Sequence, residues 1–152
     1  MNNRQKFYGI KTIELEDFRL NLDFGSYFVS REELITIIKT IRACLDYLNV
    51  KNTEIGFSFV APSKIRAING EFRSIDKETD VLSFPIDDDL YGDIVISRKR
   101  CYKQAKLYGN SYLRELSYLI CHSMLHLAGY DHLNYKDKKI MRSHEKEIMS
   151  SL

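Results

Sequence analysis

The segment His122-Ser-Met-Leu-His126-Leu-Ala-Gly129-Tyr-Asp-His132 contains three of the chain's four histidines. In a helix over residues 111–128, His122 and His126 lie four residues apart, so both imidazoles leave the same side. Gly129 stands where helices commonly end, because glycine enters the left-handed conformation without steric cost. The chain can reverse there and bring His132 back to the other two. The segment therefore predicts a catalytic zinc site with three histidine ligands and a fourth position left open.

The spacing of these histidines matches the metzincin peptidase pattern H-E-x-x-H-x-x-G-x-x-H at every fixed position except one. Ser123 stands where those peptidases have a glutamate general base, and a hydroxyl cannot do the work of a carboxylate near neutral pH. The segment thus keeps the metal ligands and lacks the peptidase base. In a minority interpretation, Asp131 replaces His132 and gives a two-histidine, one-carboxylate iron site.

The rest of the same helix predicts an apolar stripe, with the two histidines on one flank of it. Cys121 points roughly 100° away from both histidines, so we predict that it packs in the core. Glu115 lies on the histidine flank, as an outer partner of a ligand or, the interpretation we favour, as a salt-bridging surface residue. The stripe comprises Leu113, Leu116, Leu119, Ile120, Met124 and Leu127.

The composition fits one globular domain over residues 1–152, since 44% of the residues are hydrophobic and 29% are charged. A net charge of +2 is too small for a nucleic-acid packaging protein, so an acidic partner would have to meet a local basic patch. No apolar run approaches the length that crosses a bilayer, and the polar start lacks the hydrophobic segment of a signal peptide. We therefore expect a cytoplasmic protein, with no membrane partner and with Cys44, Cys101 and Cys121 as reduced thiols.

The order of predicted elements indicates an α+β domain, in which a small mixed β-sheet of about four strands packs with about five helices. Ser30-Arg-Glu-Glu33 is a capping box that opens a helix ending near Asn49. The two strands on either side of the acidic run 87–89 are expected to form a hairpin. The predicted strands cover 6–16, 54–60, 81–84 and 92–96, and the other helices cover 62–69, 98–107, 111–128 and 135–149.

A second constellation is the segment Asn69-Gly-Glu-Phe-Arg73-Ser-Ile-Asp-Lys-Glu-Thr79-Asp-Val-Leu-Ser-Phe-Pro85, followed by Gly92-Asp-Ile and then by the three-histidine motif. This combination resembles the YbeY family of bacterial endoribonucleases. The similarity runs from about Asn69 to His132, with a weaker echo in Met141 to Glu145. Before that, the chain matches the family mainly in the order of its elements.

The resemblance implies a zinc-dependent endoribonuclease, specific for single-stranded RNA, in the bacterial cytoplasm. It would act in ribosomal RNA maturation, notably at the 3′ end of the small-subunit RNA, and in ribosome quality control. The family's histidine ligands fall on His122, His126 and His132, and its functionally important arginine falls on Arg73. A guanidinium there can bind two phosphoryl oxygens while charge develops on them. Ser123 departs from the glycine that usually follows the first histidine.

Two basic helices are candidates for binding RNA. The first contains Arg98, Lys99 and Lys103, and its Tyr102 and Tyr108 could stack on bases if they lie near the groove. A solvated, merely charged helix is an equally good interpretation. The second candidate is weaker, because the acidic residues Asp137, Glu145 and Glu147 dilute its cations, which are Lys136, Lys138, Lys139 and Arg142.

Three hypotheses follow from the sequence. The first is a metal-dependent ribonuclease acting on single-stranded or ribosomal RNA, with one zinc ion, although nickel, copper and iron also accept nitrogen ligands. The second is a zinc peptidase or amidohydrolase, against which the missing glutamate counts heavily. The third is a non-catalytic assembly factor that binds the ribosome or its small-subunit proteins and holds a structural metal.

Overall fold

The computed structural model describes residues 6–61, 63, 81–84 and 90–152, in which seven strands and four helices are formed. The helix predicted over 62–69, together with Arg73 and the segment around it, lies outside the described residues. The strands are β1 (Lys6–Phe7), β2 (Ile10–Glu14), β3 (Phe18–Asp23), β4 (Val29–Ser30), β5 (Thr53–Val60), β6 (Val81–Phe84) and β7 (Leu90–Ser97). The helices are α1 (Arg31–Leu48), α2 (Arg98–Tyr108), α3 (Tyr112–Leu127) and α4 (Tyr135–Ser150).

Five of the strands form a mixed sheet in the order β2-β3-β5-β7-β6. The pairs β3–β5 and β5–β7 are parallel, whereas β2–β3 and β6–β7 are antiparallel. The α+β class, the mixed sheet and the β6–β7 pairing are thus confirmed. β1 and β4 form a separate two-stranded sheet.

The sheet contains five strands where about four were expected, because β3 was not among the predicted strands. Its buried Phe18, Leu20 and Leu22 alternate with exposed residues, which is the periodicity of a strand with one face on the core. The single strand expected over 6–16 is also divided in two. Gly9, at a φ of +74°, turns the chain between β1 and β2.

The helix boundaries follow the capping signals in the sequence. At the start of α1, the Ser30 hydroxyl accepts a hydrogen bond from the Glu33 amide (3.1 Å), and the Glu33 carboxylate accepts one from the Ser30 amide (3.2 Å). At its end, Asn49 adopts the left-handed conformation. All four described helices lie within one residue of their predicted limits at both ends.

The core lies between the sheet and helices α1 and α3. Side chains from alternate positions of β3, β5 and β7 meet Ile37 and Ile41 of α1 and Leu116 and Ile120 of α3, all of them fully buried. Cys44 and Cys121 are buried where α1 meets α3, and their mutual contact and their burial raise the pKa of the Cys44 thiol. The packing role predicted for Cys121 is confirmed. Among the described helices, none combines the length and apolarity needed to cross a membrane.

Candidate metal centre

Helix α3 carries His122 and His126 and ends as the sequence predicts. The Ser111 hydroxyl caps its start by accepting a hydrogen bond from the Arg114 amide (3.1 Å). At its end, the amide of Tyr130 donates to the carbonyl of Leu125 and that of Gly129 donates to His126, both at 3.0 Å. This pair of bonds is a Schellman motif, and Gly129 has the positive φ, +101°, that it requires. The chain therefore reverses directly after the second histidine.

The reversal brings His132 to the other two histidines. One ring nitrogen from each of His122, His126 and His132 lies within 4.8 Å of the others. The Nε2 atoms of His122 and His126 are 3.1 Å apart, close to the ~3.3 Å that two nitrogens of a tetrahedral zinc site would have with Zn–N bonds of about 2.0–2.1 Å. These two nitrogens face each other with no carboxylate between them, an arrangement suited to binding one cation together. The three histidines therefore form a group that can hold a metal ion.

Asp131, the alternative ligand, has a different task in the structure. Its carboxylate accepts a hydrogen bond from the backbone amide of His132 (2.7 Å), which stabilises the turn that presents the histidine. The metal-binding group found among the described residues contains His132 and not Asp131.

Glu145, on helix α4, orients the first histidine. Its carboxylate is 2.8 Å from Nδ1 of His122, and the residue is only 4% exposed. A carboxylate at this nitrogen fixes the tautomer, because Nδ1 carries the proton and Nε2 keeps its lone pair for a metal. Burial raises the pKa of Glu145, but its interactions with His122 and Tyr118 outweigh that effect, so that the pKa is lowered overall. Glu145 is therefore an anion that holds His122 in the ligand form.

His126 is also kept in the form that binds metals. Burial lowers the pKa of its imidazole, and the neighbouring rings of His122 and His132 lower it further. Metal binding requires neutral imidazole. The packing of the three rings thus favours the protonation state that a ligand needs.

The fourth histidine, His144, anchors the loop that carries His132. Tyr130 is the one residue of 128–134 that is not exposed, and its ring lies against that of His144, with centroids 4.6 Å apart. The Tyr47 hydroxyl is 2.6 Å from Nδ1 of His144 and donates to Glu147 at 3.0 Å. Because that hydroxyl proton is directed to Glu147, His144 donates to the tyrosine oxygen. Helices α1 and α4 thereby hold the loop in place.

Glu115, expected at the surface, is instead buried at 2% exposure and accepts a hydrogen bond from Asn110 (3.2 Å). The expectation failed because the carboxylate is held inside the fold by Asn110, in the segment that joins α2 to α3. The carboxylate partner of the candidate ligand His122 is Glu145, which was not predicted from the sequence. The weak family echo from Met141 to Glu145 was the one signal that could have found it.

Comparison with known proteins places the chain in a family. The family model described as Endoribonuclease YbeY matches residues 25–152. The chain belongs to the YbeY family. The resemblance noted in the sequence is therefore confirmed.

Relatives in this family share much of the chain. An Endoribonuclease YbeY of Finegoldia magna is 50% identical over 144 residues, covering 90% of this chain and 88% of that protein. The Endoribonuclease YbeY of Clostridioides difficile is 43% identical over 133 residues, covering 80% and 87%. A Thermotoga maritima protein solved in solution has a TM-score of 0.61 and 27% identity, with 88% of this chain and 87% of that one covered.

In this YbeY chain, the basic residues of the first basic helix, α2, differ in their surroundings: one is held within the fold and others are exposed. The guanidinium of Arg98 donates two hydrogen bonds to the carbonyl of Phe28 (2.9 and 3.0 Å) and lies over the rings of Tyr27 and Phe59. Both terminal nitrogens of this guanidinium are thus engaged within the fold, and the RNA contact expected of Arg98 stays a prediction. Lys99 and Lys103 are exposed.

Ser123, which stands where metzincins have their glutamate, is fully buried next to His122. It has no access to a substrate and cannot replace the glutamate of a metzincin. The nearby carboxylate of Glu145 is bound to His122. The described part of this YbeY chain therefore offers the ligands of a metalloprotease without its general base.

Proposed function

We propose that this protein is a zinc-dependent endoribonuclease that cleaves single-stranded RNA during ribosomal RNA maturation. The observation that carries the proposal is the convergence of His122, His126 and His132 on one point of a chain that belongs to the YbeY family. The names of its relatives support ribonuclease activity. The proposal also includes processing of the small-subunit RNA at its 3′ end and a role in ribosome quality control. It further includes contact with the ribosome or its small-subunit proteins and a cytoplasmic location.

Each residue has a defined task in the proposed reaction. His122, His126 and His132 would hold one ion, which we assign to zinc because three imidazoles suit it, although nickel, copper and iron also accept nitrogen ligands. A zinc ion supplies Lewis acidity, which polarises a phosphoryl oxygen and makes water a stronger acid. Glu145 keeps the lone pair of His122 directed at the ion. On the basis of the family resemblance, we assign to Arg73 the role of stabilising the negative charge that develops on the phosphate.

The decisive experiment is single-turnover cleavage of a 3′-extended small-subunit RNA, with and without chelator, and with the bound metal identified in the same sample. We expect about one zinc ion per chain and cleavage that chelator abolishes. His126→Ala should lose both zinc and cleavage. Leu133→Ala, an exposed change beside the third ligand, is the matched control and should keep both.

Two outcomes would contradict the proposal. Cleavage that persists in chelator would remove the metal from the mechanism. Normal maturation of the RNA in cells whose only copy is His132→Ala, folded and bound to ribosomes, would instead indicate an assembly factor with a structural metal.

A further inference from the structure

A groove between helices α3 and α4 begins at the metal centre and leads away from it. Three neighbouring cavities, of about 470, 360 and 120 Å³, all include Tyr118 and Arg142 in their walls. His122 lines the first and the third of them, and His132 lines the third. The combined volume is in the range of sites that bind small molecules or a few nucleotides. We call these three cavities the α3–α4 groove.

The groove is positively charged where solvent reaches it. Its lining includes two carboxylates, Glu115 and Glu145, which are 2% and 4% exposed and are engaged with Asn110 and His122. The cations of the lining are all exposed, and they are Arg114, Lys138, Arg142 and Lys146. A polyanion in the groove would thus meet cations and not the buried carboxylates.

The acidic residues that seemed to dilute the second basic patch are directed elsewhere. Asp137 bonds to Asn134 at the start of α4, and Glu147 accepts a hydrogen bond from Tyr47 of α1. Glu145 is bound to His122 in the metal centre. Arg142 attracts the Glu145 carboxylate through their opposite charges, but it forms no hydrogen bond within the described part of the chain and is exposed. Its guanidinium is therefore available to a ligand.

An exposed aromatic ring completes the groove. Tyr108, at the end of α2, is 65% exposed and lines the same cavity as His122 and Arg142. Tyr102, the other candidate, stacks on Tyr112 with centroids 3.9 Å apart and does not line the groove. Unpaired bases stack on such rings with little regard to sequence, whereas bases in a duplex are already stacked.

We infer that the α3–α4 groove binds the single-stranded RNA that adjoins the scissile phosphate, with Arg142 on a backbone phosphate and Tyr108 stacked on a base. This inference rests on the proposed function and adds a binding surface to it. It places the RNA path along α4, the second basic helix, in preference to the face of Arg98.

Single-turnover cleavage by zinc-loaded protein at a series of salt concentrations tests the inference. The half-saturating protein concentration for Arg142→Gln should rise, and the slope of its logarithm against the logarithm of salt should fall by about 0.7, the value for one phosphate contact on a single strand. Arg142→Lys should keep the slope. Lys139→Gln removes the same charge from the same helix outside the three cavities, and its slope should stay that of the wild type.

Tyr108→Ala should raise the half-saturating concentration about tenfold without changing the salt slope, and Tyr108→Phe should not. Zinc content and melting temperature are measured for each variant, because a loss through the metal centre or the fold would appear there. Equal salt slopes for Arg142→Gln and Lys139→Gln would overturn the inference. If the wild type cleaves no RNA, the proposed function fails. In that case, RNA binding by the same variants is measured over the same salt series from the anisotropy of a labelled RNA. This measurement tests the groove separately from cleavage.

Discussion

Replacing Glu145 should weaken metal binding without unfolding the protein. The carboxylate lies 2.8 Å from Nδ1 of His122 and is almost fully buried, so little bulk water competes for this bond. Partners of this kind typically contribute 10- to 100-fold to metal affinity, which is about 1.4–2.7 kcal/mol. In Glu145→Gln, the amide oxygen can still accept the proton of Nδ1, so we expect a loss of about tenfold. Glu145→Ala leaves that N–H without its acceptor, and we expect a loss nearer 100-fold.

The assay is competition for zinc between the protein and a chromophoric chelator at neutral pH. Glu16→Gln removes one exposed carboxylate far from the histidines in sequence and serves as the control, with unchanged affinity expected. Circular dichroism and melting of the metal-free variants separate lost orientation from lost structure. Zinc affinities of both Glu145 variants within about twofold of the wild type, in folded protein, would refute the role assigned to this residue.

Three further predictions concern the loop, the second ligand and the sheet. Tyr130→Ala should weaken zinc binding by about tenfold by releasing the loop of His132, whereas Tyr130→Phe should not; chelator competition measures both. In the metal-free protein, His126 should stay neutral to a lower pH than a free histidine, because burial lowers its pKa. NMR titration of the ring protons measures this pKa, and a value above that of a free histidine would contradict the prediction. Gly56→Ala should destabilise the fold by about 1–3 kcal/mol, because the added methyl overlaps the Asp93 carboxylate on the adjacent strand. Adding Asp93→Ala should restore most of the loss in chemical denaturation, and an unimproved double variant would contradict the clash.

The sequence predicted those parts of the site that depend on neighbours within a few residues. The spacing of His122 and His126 defines a helix face, and Gly129 marks a stop whose geometry glycine alone adopts readily. Ser30 and Ser111 likewise mark helix starts through bonds that span three residues. Such features are encoded locally, and the structure has them where the pattern places them.

The parts that sequence analysis missed depend on contacts between distant segments. Glu145 and His122 are 23 positions apart in the sequence, and the local pattern around either residue does not predict that they are in contact. Arg98 appeared to be a surface cation because its helix is basic, but its guanidinium reaches a carbonyl 70 positions away. Glu115 was expected at the surface because the periodicity of α3 does not show which other residues pack on its flank, where Asn110 binds its carboxylate. In each case the packing of elements, and not their local pattern, decided the role.

The bond between Glu145 and His122 has a consequence for the life of the protein in a cell. It makes the metal centre a junction of α3, the loop after it and α4, so an ion bound there favours the folded chain over the unfolded one. At a free ion concentration 100 times the dissociation constant, this linkage amounts to about 2.7 kcal/mol, against a total stability of about 5–15 kcal/mol for most domains. Metal starvation should therefore lower the steady-state abundance of the protein, through proteolysis of its unfolded fraction, as well as the activity of each molecule.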